Sequence, residues 1–484
     1  MRHDRPRVTV VGAGISGLSA AHHVRELTGE RGLSPEVVVL ESSARVGGLI
    51  RTERIDDYLI EGGPDALLVA KRGGLELCDR LGLGDEVRHL SSPEAGTRIL
   101  HRGRLVSLPR GFLMMAPTRL WPMLRSPLFS WRGKARMAVE RFVPPRADGA
   151  GDESLASFVA RRFGREALER GAEPIVASLF TADAERLSVD AVMPRFVEAE
   201  RRHGSVTRAL AYARRAQPAG QAHSGHGRFA YLEGGLGRIV DALVARLPPD
   251  AIRTGVGIER VGRDAGGRYR IEMRGAGAVE TDAVVVACPA HAAGPLLAHH
   301  DARLAGELGA LRYASCATAS LVYEREAFGA SLEGFGFFVP RVEGRQLLAC
   351  SFVSVKFRNR APSGRFLVRA FLGGALHPEI VDRDDAEIAR IADSELREIL
   401  GIRGPAVFSR THRFPAAMPQ YEVGWPRRLK AIRERIDAHD GLFLAGGSVG
   451  AFGLPDCISS GERAARDAVD YLAERVPAGH AAAR

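Results

Sequence analysis

Residues 7–41 read RVTVVGAGISGLSAAHHVRELTGERGLSPEVVVLE, and this stretch decides the fold. Its first apolar residues predict a short buried strand, which three glycines follow at the GxGxxG spacing. That spacing lets the backbone turn tightly and approach a pyrophosphate at the N-terminus of the next helix. Residues 37–40 predict a second buried strand, so the stretch reads as a βαβ unit. The dinucleotide-binding residues that it predicts are Gly12, Gly14, Ile15, Ser16 and Gly17.

The second strand ends in Glu41, which lies 24 residues after Gly17. In this type of unit an acidic residue about 20 residues past the last glycine binds the ribose, and the loop at 29–35 accounts for the excess. A carboxylate accepts hydrogen bonds from a ribose diol and repels a 2′-phosphate. The cofactor is therefore predicted to be FAD or NAD rather than NADP.

The segment after Glu41 distinguishes FAD from NAD. Residues 42–51 read SSARVGGLIR, in which an arginine and a glycine pair follow the acidic residue at the spacing of the flavin amine oxidase superfamily, which the segment resembles. The resemblance implies that the glycine pair lets backbone pass close to the flavin phosphates and that the arginine adds charge beside them. It predicts FAD, with Ser42, Arg45, Gly47 and Gly48 as further binding residues.

Length and composition predict a large enzyme of two or three domains. The chain has 484 residues, of which 45% are hydrophobic, and this is ample for sizeable cores. Its five cysteines are scattered and form no CxxC pair, which predicts neither disulfides nor a zinc site and suits a reducing compartment such as the cytoplasm. No metal site is predicted, because His223 and His226 in their glycine-rich loop have no carboxylate or cysteine beside them.

The net charge of +10 is spread along the chain. No zinc-finger, RRM or helix-turn-helix signature accompanies the arginines, so no nucleic-acid partner is predicted. Residues 105–145 alternate aromatic and aliphatic side chains with arginines and prolines, as an interfacial membrane segment does. The alternative is a helical hairpin whose apolar residues line the protein's own core or a substrate channel. Peripheral membrane contact, rather than a membrane-spanning helix, is the expectation because no apolar run reaches about 18 residues.

The order of predicted elements indicates an α/β fold whose Rossmann-like FAD-binding domain is assembled from discontinuous segments. Residues 155–214 read as helical, and the strands at 269–273 and 283–287 return the chain to the cofactor sheet. Later strands at 317–322 and 366–371 lie outside the cofactor sheet. We predict a FAD-binding domain from residues 1–95, 225–290 and 430–475, a helical, membrane-contacting subdomain from 96–224, and a substrate-binding domain from 291–429.

Residues 441–465 carry the second strong signal. They read GLFLAGGSVGAFGLPDCISSGERAA, which predicts a strand, a glycine-rich turn and then a helix beginning near Pro455. A helix N-terminus pointed at the flavin pyrimidine stabilises the negative charge of the reduced ring, by about 0.3–1 kcal/mol when exposed and up to roughly 2 when partly buried. The predicted contacts are Gly446, Gly447, Gly453, Leu454 and Asp456, of which the aspartate also suits a helix N-cap.

Six motifs in order over most of the chain resemble the oxygen-dependent protoporphyrinogen/coproporphyrinogen oxidases of haem synthesis. They are GAGISGLSAAHHV, LESSARVGGLIRT, EGGPDALL, YLEGGLGRIVDAL, MPQYEVGW and LAGGSVGAFGLPDCISSGERAA. The resemblance implies non-covalent FAD, a substrate domain with a mixed sheet, and a helical domain that touches the membrane in several members. It also implies six-electron oxidation of a porphyrinogen with O2 as acceptor and H2O2 as product. Further cofactor-binding candidates are Gly62, Gly63 and Ile258.

No general acid or base is assigned, because the flavin carries the hydride and the protein mainly has to position a bulky flat substrate. We expect apolar walls around the macrocycle, formed by Phe335, Phe337, Phe338, Leu347 and Phe452. The apolar character of residues 105–145 favours protoporphyrinogen IX as substrate, and coproporphyrinogen III is the alternative.

Three positions depart from the family pattern. Phe452 stands in a loop where members often have glycine-valine-glycine, and Trp425 replaces a histidine. Asp65 occupies the place of an arginine that meets a substrate propionate in some members, so Lys356, Arg358 and Arg360 are alternative anchors. These departures keep open a non-catalytic flavin or haem-handling protein, beside a flavin amine oxidase and a carotenoid desaturase. A homodimer is also open.

Overall fold

The computed structural model describes residues 5–31, 34–90, 96–109, 111–113, 116–117, 120–147, 149, 151–216, 228–329 and 332–475. Its strands are β1 Arg7–Val11, β2 Glu36–Leu40, β3 Thr52–Ile55, β4 Tyr58–Glu61, β5 Leu67–Leu68, β6 Val87–His89, β7 Arg98–His101, β8 Arg104–Ser107, β9 Phe112–Leu113, β10 Ala116–Pro117, β11 Phe229–Leu232, β12 Ile252–Arg253, β13 Ile258–Arg263, β14 Tyr269–Met273, β15 Gly277–Thr281, β16 Ala283–Val286, β17 Arg312–Glu324, β18 Gly336–Phe338, β19 Leu347–Ser351, β20 Arg365–Gly373, β21 Phe408–Gln420 and β22 Leu442–Leu444.

The helices between these strands range from one turn to six. They are α1 Ile15–Glu30, α2 Gly73–Arg80, α3 Leu120–Arg125, α4 Trp131–Ala138, α5 Leu155–Phe163, α6 Arg165–Ala167, α7 Glu173–Phe180, α8 Val189–Val192, α9 Pro194–His203, α10 Val206–Ala216, α11 Gly237–Ala245, α12 Ala290–Leu297, α13 Ala302–Gly309, α14 Val353–Lys356, α15 Asp385–Leu400, α16 Trp425–Asp437 and α17 Leu454–Arg475.

A five-stranded parallel sheet forms the base of the cofactor domain, in the order β12-β2-β1-β16-β22. Its central strands are buried almost throughout because helices or a second sheet cover both faces. Helices α1, α11 and α17 cover one face, while β13, β14 and β15 form a three-stranded antiparallel sheet over the other. The strands of the parallel sheet come from three separated parts of the chain, as the predicted discontinuous fold requires.

A seven-stranded sheet forms the second layer of the molecule, in the order β21-β17-β20-β19-β18-β7-β8. It is mixed, because β18 pairs with β7 in parallel and the other neighbours are antiparallel. Helix α15 packs its apolar side against one face of this sheet. The predicted fold class, a Rossmann-like domain with a mixed-sheet domain and a helical subdomain, is confirmed.

The helical subdomain begins later than residue 96. Strands β7 and β8, at residues 98–107, extend the seven-stranded sheet instead of joining the helices, so the predicted start is wrong. Helices α5 to α10 follow as expected and share one core with Phe112, Leu128 and Phe129. Among the described residues no helix is long and apolar enough to cross a membrane.

Candidate cofactor and active site

The first glycine loop joins β1 to α1 and has the geometry of a phosphate cradle. Gly12 has a φ of +103° and donates its backbone N–H to Leu40 O at 2.8 Å. Helix α1 begins after Gly14 without a side-chain cap, so its first N–H groups are left for a ligand. Gly17 packs so tightly that a Cβ there would lie 1.9 Å from Gly12 O, which explains why only glycine fits. Ile15 and Ser16 form the buried first turn between them.

Glu41 directly follows β2 and lies beside this loop. One carboxylate oxygen accepts the Ala13 N–H at 2.7 Å, and the other accepts the backbone N–H and hydroxyl of Ser43 at 2.8 and 2.7 Å. These bonds fix the carboxylate at the edge of the cradle while leaving it partly accessible. Ser42 is exposed next to it. A carboxylate so held is oriented for the ribose contact that the sequence predicts.

The glycine pair of the next loop lies against the first loop. Gly14 and Gly47 form an isolated parallel bridge, and the Gly47 N–H donates to Ala13 O at 2.8 Å. A Cβ on Gly48 would lie 3.1 Å from the Cα of Gly14. Arg45 donates to three carbonyl oxygens of its own loop, those of Val46, Gly48 and Ile50. Arg45 therefore shapes the loop as well as placing positive charge beside the cradle.

Ile258 lies at the start of β13. The residues just before β13 contact the segment around Glu41. The Val256 N–H donates to Glu41 O at 2.9 Å, and the Gly255 N–H donates to Ser43 O at 2.9 Å. Ile258 itself is half-buried and packs at the margin of the core beneath the antiparallel sheet. The structure thus brings Ile258 to the same end of the parallel sheet as Glu41.

Another glycine loop, Gly62–Gly63, follows β4 and is packed closely from two sides. A Cβ on Gly63 would lie 2.0 Å from Leu49 O, and one on Gly62 would lie 2.6 Å from the His412 ring. The Thr318 hydroxyl donates to Gly62 O at 2.7 Å. This loop therefore lies directly against the segment that follows Gly47 and Gly48.

A further glycine loop joins β22 to α17. Gly446, Gly450 and Gly453 have positive φ angles, and the Gly446 N–H donates to the Ser460 hydroxyl at 2.9 Å. The Tyr421 hydroxyl lies within hydrogen-bonding distance of the carbonyl oxygens of Gly447 and Ala451, at 3.0 and 3.1 Å. Tyr421 belongs to the MPQY motif, which the fold thereby brings against this loop.

Helix α17 begins at Leu454, close to the predicted start. Asp456 lies in its first turn and forms an ion pair with Lys71. The carboxylate therefore has a cationic partner on the segment before α2, which the sequence did not reveal. Gly447 and Gly453 keep accessible surface, so this loop can contact a ligand.

Two of the departures from the family pattern have clear packing roles. The Phe452 ring stacks on Phe180 of α7 with a centroid distance of 4.2 Å and meets Tyr421 edge-on. Phe452 therefore joins the core of the helical subdomain to the loop before α17. Trp425 is buried at the start of α16 and packs on the Tyr421 ring at 4.7 Å.

The predicted substrate walls separate into two groups. Phe337 and Leu347 are each 1% exposed and belong to the core between the seven-stranded sheet and α15. A side chain that lines a cavity open to water has accessible surface, so these two residues pack the sheet and do not form a pocket wall. Phe335 and Phe338 are only half-buried, as is Phe452, and these three keep surface for a ligand.

The cationic residues proposed as propionate anchors are not equivalent. Lys356 donates to both oxygens of Asp65, at 3.0 and 3.2 Å. Arg360 is 2% exposed, donates to Leu232 O and stacks between the rings of Tyr231 and Phe357. Burial removes Arg360 as a surface anchor, and Arg358 is the exposed member of the set.

No group of His, Cys, Asp and Glu residues in the described part of the chain could hold a metal ion. His223 and His226 lie outside the described residues. All five cysteines are free thiols, and burial raises the pKa of Cys78, Cys288 and Cys316 to about 12.

The described residues fit a flavin adenine dinucleotide. Gly14 and Gly48 face each other with no side chain between them, the N-terminus of α1 is uncapped, and Glu41 is held beside it. The glycine loops at 62–63 and 446–453 continue the same surface. The chain's loops thus supply backbone, not side chains, where a long cofactor passes.

Comparison with known proteins identifies the family of this chain. The family model described as flavin containing amine oxidoreductase matches residues 15–469. The chain is 31% identical to coproporphyrinogen III oxidase of Bacillus subtilis, over 98% of this chain and 100% of the relative. It is 30% identical to protoporphyrinogen oxidase of Homo sapiens, over 95% and 97%. A crystal structure from Exiguobacterium sp. 255-15, described as a protoporphyrinogen oxidase, superposes with a TM-score of 0.83 at 27% identity, over 97% of this chain and 99% of that one.

Proposed function

The chain belongs to the family of flavin-containing amine oxidoreductases, and within this FAD-dependent family we propose that it is an oxygen-dependent porphyrinogen oxidase. The observation that carries the proposal is the full-length similarity to porphyrinogen oxidases from a bacterium and from an animal. The reaction removes six electrons from the porphyrinogen, with O2 as acceptor and H2O2 as product. It is a step of haem biosynthesis.

The described residues support a division of labour between cofactor and protein. FAD, when bound, supplies the hydride acceptor and the route for electrons to oxygen. Gly14, Glu41 and Gly48 would hold its nucleotide end, and the loops at 62–63 and 446–453 would border its flavin end. The carboxylates of these two flavin loops, Asp65 and Asp456, are both paired with cations. Neither is free to act as a base, which supports chemistry that depends on positioning the substrate.

Protoporphyrinogen IX is the substrate that the sequence favours, and coproporphyrinogen III is the second candidate. The described residues of 105–145 bear on this choice, because Phe112, Leu128 and Phe129 are core residues of the helical subdomain. Their apolar character therefore describes packing and carries no information about the pocket. The relative from Bacillus subtilis, which this chain covers completely, supports coproporphyrinogen III.

Purified protein that carries FAD is given protoporphyrinogen IX and coproporphyrinogen III separately in air, while porphyrin fluorescence and peroxide are followed. Fluorescence that develops with one substrate, with three peroxides per porphyrin, identifies that substrate. A yellow protein that oxidises neither would retain the flavin fold and remove the porphyrinogen proposal. Light scattering on the same sample gives the molar mass in solution, and a value of twice the chain mass would indicate a homodimer.

We further propose that the protein is cytoplasmic and touches the membrane surface through residues 120–142. Trp121, Trp131 and Phe142 are about 70% exposed there, and each ring is covered by a neighbouring cation, at 5.3, 4.4 and 4.8 Å. Exposed aromatic rings beside cations suit the headgroup region of an anionic bilayer. The free cysteines support a reducing compartment.

Co-sedimentation with anionic lipid vesicles tests this contact. The triple variant Trp121→Ser, Trp131→Ser, Phe142→Ser is expected to lose most of the bound fraction. Replacement of Val342 and Val407, two exposed apolar residues outside this segment, should leave binding unchanged. Equal binding by both variants would contradict the assignment of this surface.

A further inference from the structure

The Gly62–Gly63 loop is held by one arginine from the far part of the chain. Arg369 of β20 donates one terminal nitrogen to Glu61 O and Gly63 O, at 2.6 and 2.8 Å. Its other terminal nitrogen donates to an Asp65 carboxylate oxygen at 2.6 Å. The guanidinium thus binds the backbone on both sides of Gly62 and the side chain of Asp65, two residues after the glycine pair.

The arginine belongs to a buried charge cluster, which we define as Glu61, Asp65, Lys356, Arg360 and Arg369. Lys356 binds the same carboxylate as Arg369, and Arg360 lies close enough to lower its pKa further. Burial alone would raise the pKa of Asp65, but the cations around it keep that pKa below its usual value. Burial raises the pKa of Glu61. Three cations therefore face at most two negative charges, and the cluster is net positive.

We propose that Arg369 is the positioning residue of the Gly62–Gly63 loop, and that the buried charge cluster sets the reduction potential of the flavin which this loop borders. Arg369 fixes the backbone path through its bonds to two carbonyl oxygens. Asp65 orients the guanidinium as an internal counter-ion and does not contact a substrate propionate. Lys356 and Arg369 together keep Asp65 ionised, and Lys356 adds the excess positive charge.

The electrostatic part follows from the charge of the reduced cofactor. Reduced flavin carries negative charge on its ring, and positive charge held nearby in a region of low dielectric stabilises it. Removing a cation from the cluster should lower the midpoint potential, whereas neutralising Asp65 should raise it. The inference rests on the FAD cofactor and not on the identity of the substrate, so failure of the porphyrinogen proposal would leave it intact.

Arg369→Met and Arg369→Lys test the positioning role. Apoprotein is titrated with FAD, and we expect at least a tenfold increase in the dissociation constant for both variants, because methionine donates no hydrogen bond and lysine lacks the second terminal nitrogen that the three bonds use. Arg365→Met is the matched control, since Arg365 lies on the same strand and pairs with Glu324 at the surface. Unchanged FAD affinity in a folded Arg369→Met protein would overturn the positioning role.

Asp65→Asn and Lys356→Met test the charge effect, because both leave the bonds of Arg369 to Glu61 O and Gly63 O in place. The midpoint potential of bound flavin is measured by dye equilibration. We expect a rise for Asp65→Asn and a fall for Lys356→Met, whereas Lys430→Met, at an exposed site, should give no shift. Shifts in the same direction, or no shift in either variant, would overturn the electrostatic role, since loss of structure alone cannot give opposite signs.

Discussion

Two of the glycine loops that open helices in the cofactor domain, those before α1 and α17, are stabilised in different ways. The loop before α1 is determined by its own backbone, since Gly17 leaves no room for any side chain against Gly12 O. The loop before α17 is held by side chains from elsewhere, with Ser460 and Tyr421 bonded to its backbone and Phe452 stacked on Phe180. The steric constraint between Gly12 and Gly17 acts within five residues, so it can be recognised in the sequence as a fixed glycine spacing. The tertiary contacts of the loop before α17 join distant residues and produce no such spacing.

The largest effect should come from breaking the first loop sterically. Gly17→Ala places a Cβ 1.9 Å from a backbone oxygen, so α1 must move away from β1. We expect a loss of more than about 3 kcal/mol in the free energy of unfolding, and no bound FAD. Gly29→Ala, in the same helix with no atom within 4 Å of its Cβ, should be neutral or stabilising. Denaturant unfolding of both variants tests this contrast, and similar midpoints would contradict it.

Gly14→Val sharpens the comparison because it separates folding from ligand binding. The nearest atom to its Cβ is the Gly48 Cα at 3.9 Å, so the first of the three added carbons makes no clash with the chain. The side chain would instead occupy the path of the cofactor phosphates. We expect about a 100-fold or greater loss of FAD affinity, which corresponds to about 2.7 kcal/mol. Unfolding of the apoprotein should change by less than about 1 kcal/mol, and a fully yellow variant would refute the phosphate-loop assignment.

Glu41→Ala tests the side chain that is predicted to bind the ribose beside the loop before α1. Losing the ribose acceptor should weaken FAD binding about tenfold, the value of one charge-assisted hydrogen bond. Glu36→Ala is the matched control, since Glu36 begins the same strand and pairs with Arg7 at the surface. Fluorescence titration of FAD into each apoprotein gives the two affinities, and equal values would remove the ribose role of Glu41.

Tyr421→Phe should have the smallest effect, because it removes one hydroxyl from a loop with several supports. We expect a loss of about 1 kcal/mol in the free energy of unfolding and a two- to threefold weaker affinity for FAD. Tyr212→Phe, at a side chain that is 66% exposed, is the control. If Tyr421→Phe were as damaging as Gly17→Ala, the two loops would not differ in the way described above.

The same contrast explains what the sequence predicted. The βαβ unit, the glycine loop before α1 and the position of Glu41 follow from local spacing, and the structure brings these residues together. The role of Phe337 was mistaken, because a strand presents alternate residues to opposite faces and nothing local tells which face α15 covers. The start of the helical subdomain was mistaken for a similar reason, since only long-range pairing assigns 98–107 to a sheet. Arg369 gave no signal, because its partner Glu61 lies 308 residues away.

The position of β22 and α17 late in the chain has a consequence for how the protein folds while it is being translated. Helices α1 and α17 pack so closely that a Cβ on Gly461 would lie 2.1 Å from Ser16 O. Strands β7 to β21 of the other large sheet are all translated before either β22 or α17. Translation runs at about 5–20 residues per second, so the nascent nucleotide-binding unit stays incomplete for tens of seconds while its last strand and helix are made. Capture of FAD is therefore expected to follow synthesis of α17, and a truncation in α17 should yield colourless protein however intact its first 400 or so residues are.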